Sequence, residues 1–119
     1  MAEAQRLHIS QIKDVHVAEF VDHKILDEAN IKEIGDTLTA LVGSKDRPKL
    51  ILDFVQVDHL SSAALGMLIN LNAKVKQQSG QLRLVNIKAQ IMEVFTITQL
   101  HKLFRIMSNQ AEALASFAA

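Results

Sequence analysis

Residues 49–87, "KLILDFVQVDHLSSAALGMLINLNAKVKQQSGQLRLVNI", hold the fold in miniature. In the opening KLILDFVQV, Leu50, Leu52 and Phe54 fall on one side of an extended chain and Ile51 and Val55 on the other. Apolar residues on both sides predict a central strand covered on each face. Asp53 is the polar exception, in its C-terminal half. From Ser62 to about Gln78 the spacing lengthens. Ala64, Leu68, Leu71 and Val75 form a helical stripe, with Lys74, Lys76, Gln77 and Gln78 toward solvent. The run QSGQ stops this helix, and Gly80 is the expected left-handed cap. QLRLVNI then alternates again, as a strand does. Strand, helix, strand in one chain segment implies a parallel crossover.

Upstream, "LHISQIKDVHVAEFV" reads as a β-hairpin split at Lys13-Asp14. Leu7, Ile9 and Ile12 are expected on one side of its first strand. In the second strand Val15, Val17 and Glu19 alternate with His16, Ala18 and Phe20. Ile31, Ile34, Leu38, Leu41 and Val42 then give a helical stripe, with Asp27 able to cap it and Glu28 near its positive end. Gly43 and Pro48 close that helix, and Gly35 inside it predicts close packing. Downstream, Ile91, Val94 and Phe95 share a helical face, LFRIM reads as a short strand, and NQAEALASF as a helix capped by Asn109. The expected order is β-β-α-β-α-β-α-β-α: one α/β domain with a mixed sheet and helices packed against it.

Composition narrows the function. Thirteen basic residues balance thirteen acidic ones, so the basic excess that phosphate binding demands is missing, and nucleic acid and anionic membrane are poor partners. No Cys is present, which excludes disulfides, thiolate catalysis and Cys-ligated zinc. The first residues have no apolar signal-peptide core, and no stretch approaches a membrane span, so a cytoplasmic protein without direct membrane insertion is expected. His8, His16, His23, His59 and His101 show no metal-ligand spacing, and surface or half-buried histidines are expected. No cofactor is called for: phosphate-loop and dinucleotide glycine patterns are missing. The Ser61-Ser62 pair lacks the flanking glycines of a nucleophile elbow, so an enzyme is not expected.

The serine pair itself has two readings. One serine can cap the second helix. The other would then stand at a helix N-terminus on the rim of the sheet, where α/β folds bind partners. A phosphate there would add −1.5 to −2 charge, tolerated by the positive helix end but disruptive to a partner facing it.

"LILDFVQVDHLSSAALGMLINLNAKVKQQSGQLRLVNIKAQIMEVFTITQLHKLF", together with the upstream "ILDEANIKEIGDTL", resembles the STAS domain of bacterial anti-sigma factor antagonists, over roughly residues 7 to 117. The resemblance implies a single STAS domain across residues 1–119, with a short flexible N-terminus at about residues 1–5. It implies a mixed sheet of four to five strands with four to five helices. It further implies binding to a serine-kinase anti-sigma factor, which frees sigma and is switched off by phosphorylation, with a phosphoserine phosphatase restoring the free form. In register, the phospho-acceptor falls on Ser62 and the family's Leu-Asp aspartate on Asp27. Ser61 stands where the family often has aspartate, and Ala64 where it has glycine. Asp27, Asp58, His59, Ser61, Ser62, Ala63, Ala64 and Met67 make the expected partner-binding surface. The same fold also serves constitutive scaffolds and soluble subunits of transporters or stressosome-type assemblies, in which both serines would serve as caps.

Overall fold

The computed structural model describes residues 6–43 and 46–117; the expected flexible N-terminus at residues 1–5 lies outside the described residues. The chain opens with an antiparallel hairpin of β1 (Leu7–Ile12) and β2 (Val15–Phe20), in register from Leu7 opposite Phe20 to Ile12 opposite Val15. Lys13 and Asp14 make the turn, as expected, with positive φ at Lys13. Residues directly opposite share a face, so Leu7 and Ile9 lie with Phe20 and Ala18, whereas Ile12 lies with Val15. The expectation that Ile12 sides with Leu7 and Ile9 is therefore corrected. Ile12 lies five positions beyond Leu7, and an odd step crosses the pleat.

There follow β3 (Lys24–Ile25), α1 (Glu28–Gly43), β4 (Lys49–Asp53), β5 (His59–Leu60), α2 (Ser62–Gln77), β6 (Gln81–Val85), α3 (Ala89–Ile97), a 3-10 turn at Leu100–Lys102, β7 (Arg105–Met107) and α4 (Gln110–Phe117). The main sheet runs β1-β2-β4-β6-β7, with only β1 antiparallel. A mixed five-stranded sheet with four helices matches the expected class. The sequence reading lacked β3 and β5, which pair with each other in a separate two-stranded sheet. Two residues are too few to display a period of two.

Two cores lie on opposite faces of the main sheet. On one, Phe20, Leu50, Leu52 and Leu84 pack against Leu38 of α1, Leu68 and Leu71 of α2 and Phe95 of α3. On the other, Val15, Val17, Ile51 and Val85 pack against Ala113 and Phe117 of α4. β4 is buried on both sides, as its composition predicts. It ends sooner than expected: Asp53 Oδ1 accepts the Val55 N–H at 2.9 Å, and Val55 is exposed. This side chain–backbone turn releases the chain from the sheet.

The α2 C-terminus brings another correction. Ser79, not Gly80, is left-handed, at φ 57°. Ser79 N–H donates to Lys76 O and Gly80 N–H to Val75 O, the bond pair of a Schellman motif. Gly80 is needed for space, since a Cβ there would stand 2.4 Å from Pro48 O. Among the described residues no helix is long and apolar enough to cross a membrane.

Candidate functional site

The two short strands build the site. Parallel pairing sets Lys24 opposite His59 and Ile25 opposite Leu60, and Ser61 N–H donates to Ile25 O at 3.1 Å. Two residues beyond that register lie Asp27 and Ser62, so α1 and α2 begin side by side and run the same way. Asp27 Oδ1 accepts the N–H groups of Ala29 (2.9 Å) and Asn30 (3.2 Å), the cap its position predicts. Along the helices Gly35 of α1 admits Met67 of α2: a Cβ on Gly35 would stand 3.0 Å from Met67 Cγ. The glycine thus lets the pair close up, and the two positive helix ends share one rim.

At that rim the serines separate. Ser61 is extended (φ −85°, ψ 167°) and its Oγ accepts the Ala64 N–H at 3.1 Å. Ser62 is the first helical residue, exposed, and its hydroxyl makes no hydrogen bond among the described residues. Ala63 is exposed beside it, and His59 is exposed on β5. Ala64 is 0% exposed and faces the core, so it supports this surface from beneath and is not part of it. Met67 is half-buried against the α1–α2 seam.

Asp58 is held from two sides. Lys88, ahead of α3, donates to its Oδ1, and His23 Nδ1 lies 3.4 Å from its Oδ2. The Lys88 hydrogen bond, with help from the Lys88 and His23 charges, holds the Asp58 carboxyl below the usual aspartate range. Asp58 and His59 N–H both donate to His23 O, tying the loop before β5 to the loop before β3. Sequence reasoning missed His23 and Lys88 as site neighbours. They lie 35 residues before and 30 after Asp58, and pairs so far apart leave no periodic or motif signal. His8, His23, His59 and His101 are exposed and His16 is half-buried, in keeping with the expectation for all five.

Below the rim, Asp53 is buried at 3% exposure. Its Oδ1 also accepts Asn86 Nδ2 at 3.0 Å, and its Oδ2 accepts Gln110 Nε2 at 2.6 Å. The carboxylate thus joins the ends of β4 and β6 to the start of α4. The rim offers a free hydroxyl, two capped helix ends and a braced acidic loop. Among the described residues no His, Asp or Glu is hydrogen-bonded to Ser62 Oγ.

Comparisons with known proteins agree with this architecture. A family model described as the STAS domain matches residues 9–113. The chain is 28% identical over 93 residues to a protein named as a candidate anti-sigma factor antagonist, BtrV, of Bordetella bronchiseptica, covering 78% of this chain and 79% of the relative. Its backbone resembles an anti-sigma-factor antagonist (STAS) domain protein from Planctomyces limnophilus, with a TM-score of 0.87, 21% identity and coverage of 95% and 98% of the two chains. It also resembles an anti-sigma factor antagonist from Mycobacterium paratuberculosis, at a TM-score of 0.81, 21% identity and coverage of 95% and 93%.

Proposed function

The chain belongs to the STAS-domain family, and from that premise we propose that it is an anti-sigma factor antagonist whose hold on a serine-kinase anti-sigma factor is released by phosphorylation of Ser62. The observation that carries this reading is the division of labour at the start of α2. Ser61 serves the cap, and Ser62 keeps an exposed hydroxyl with no internal partner. Modifying Ser62 therefore breaks no hydrogen bond of the fold.

The kinase supplies ATP and the base. The Ser62 Oγ loses its proton and takes the γ-phosphoryl group, and ADP leaves; a phosphoserine phosphatase returns the hydroxyl by hydrolysis. The phosphate places about −1.5 to −2 charge on a helix N-terminus, which the domain tolerates because the helix end is positive. A partner packed over Ser62, Ala63 and His59 meets that charge directly, and the complex opens. The chain itself acts as a cytoplasmic binding module with no catalytic role. Asp27, on the same rim, adds negative charge that a basic patch of the partner would match, and Asp58, paired with Lys88 and His23, shapes the loop beside it.

The test uses the purified chain, ATP and a serine-kinase anti-sigma factor from the same genome, with phosphopeptide mapping. Phosphate is expected on Ser62; phosphate only elsewhere, or none, overturns the switch. Ser62→Ala is expected to bind the kinase whether or not ATP is present, and Ser62→Asp to bind weakly. Equal affinities for the two would refute the reading. Ser61→Ala is expected to lose the cap, about 1 kcal/mol of stability, while still accepting phosphate at Ser62.

A further inference from the structure

Arg83 is a buried charge without a counter-ion. It lies in the middle of β6 and is 6% exposed. Neither Arg83 nor Arg105 forms an ion pair among the described residues. Parallel pairing sets Arg105 of β7 directly opposite Arg83, so the two side chains leave the same face of the sheet, from strands about 4.8 Å apart. That face is the one α4 covers: Ile51, the register partner of Arg83 on β4, packs against Ala113 and Phe117.

Neutral groups hold the Arg83 guanidinium in place. Nε donates to Ser116 Oγ at 2.9 Å, Nη1 to Leu82 O at 3.3 Å and Nη2 to Gln81 Oε1 at 2.6 Å, and the Phe117 ring centre is 4.5 Å away. A guanidinium has five N–H groups, so these three bonds leave two unused. Arg105 is exposed, and its side chain makes no hydrogen bond among the described residues.

Two like charges opposite each other across a strand pair destabilise it, and a buried charge is costly unless it is paired. The C-terminus of α4, which meets Arg83 at Ser116 and Phe117, supplies only about half a unit of negative charge. Burial, and then the Arg105 charge, pull the Arg83 pKa down, as expected of a cation lacking a counter-ion. The remaining charge calls for an anion. A carboxylate brings one charge and two oxygens. A phosphate group brings close to two charges near neutral pH and three or more acceptor oxygens, enough for guanidinium forks arriving from two strands. The chain is neutral overall, so the pair is a local concentration of charge suited to one small dianion and not to a polyanion.

We propose that Arg83 and Arg105 form a binding site for a small phosphate dianion, either the free ion or a small phosphomonoester, held between Arg105 and the fixed fork of Arg83 beside the C-terminus of α4. The site lies on the opposite face of the sheet from α2, so it does not depend on phosphorylation of Ser62.

The test titrates the unaltered chain with inorganic phosphate and, separately, with glycerol phosphate, and follows the guanidinium NMR signals of Arg83 and Arg105. Sodium chloride of equal ionic strength is the control. Both signals are expected to move together and to saturate, with a midpoint between about 0.1 and 10 mM. Tighter binding of glycerol phosphate identifies a phosphomonoester as the ligand; equal or weaker binding identifies the free ion. Arg105→Gln is an exposed change that leaves the Arg83 contacts in place, and it is expected to weaken binding at least about tenfold. The melting temperature should rise with phosphate in the unaltered chain and stay level in Arg105→Gln. Shifts that sodium chloride reproduces, a response that never saturates, or binding indifferent to Arg105→Gln overturns the proposal.

Discussion

Ser61 stands outside α2 with extended backbone, so its Oγ reaches back to the Ala64 N–H; Ser62 is already helical, and its Oγ cannot make the same bond. The same economy of position governs Ser79 and Gly80. Ser79 carries the left-handed conformation, which costs an L-residue roughly 1–2 kcal/mol and a glycine almost nothing. Gly80 fills the place where a Cβ would collide with Pro48 O. Ser79→Gly is therefore expected to raise stability by about 1 kcal/mol, whereas Gly80→Ala should lower it. Urea denaturation of the two variants measures both signs; stabilisation by Gly80→Ala would refute the packing argument.

Among elements, the short strands β3 and β5 do the positioning. They set the starts of α1 and α2 abreast, and the loops that lead into them are braced by Asp58 between Lys88 and His23. Because the Asp58 carboxyl is held below its usual value in the folded chain, the brace is fully present above the unfolded aspartate pKa of about 3.9. It is lost as pH falls through the lower folded value. A carboxyl-carbon NMR titration should put the Asp58 midpoint below that of an unperturbed aspartate. Lys88→Ala should raise it, since the Lys88 hydrogen bond is the leading cause. An unmoved midpoint in that variant would remove Lys88 from the explanation.

Across the whole molecule, Asp53 and Arg83 fasten α4 over the second sheet face. Arg83 Nε donates to Ser116 Oγ at 2.9 Å, and its guanidinium lies 4.5 Å from the Phe117 ring centre. Burial, with Arg105 nearby, holds the Arg83 pKa below its usual value. At the other end of α4, Gln110 reaches Asp53. Asp53→Ala would strip the acceptor from Asn86, Gln110 and the Val55 N–H. A fully buried orphaned donor costs about 1–3 kcal/mol, but Asn86 and Gln110 are half-buried and Val55 is exposed, so a loss of about 2 kcal/mol in all is expected. Chemical denaturation measures it, and a loss under about 1 kcal/mol would mean that the Asp53 bonds add little to the hold on α4.

By itself the sequence determined the elements long enough to repeat a period: the double-sided β4, the stripes of α1 and α2, the hairpin, and the caps at Asp27 and Asn109, the latter accepting the Glu112 N–H at 2.9 Å. Those signals are local, because burial recurs every two or every three to four residues and a cap acts within three. The expectation that Ser62 is the acceptor came only through resemblance, since two adjacent hydroxyls look alike until the backbone assigns the cap to one. The facing of Ile12 follows from an odd step along the pleat and the end of β4 from a two-residue turn, both local and readable in the chain. Only the tertiary structure decided that position 80 must stay small against Pro48 and that His23 and Lys88 brace the rim. Each of these two depends on partners far along the chain, and a residue's neighbours in sequence carry no record of what will meet it in space.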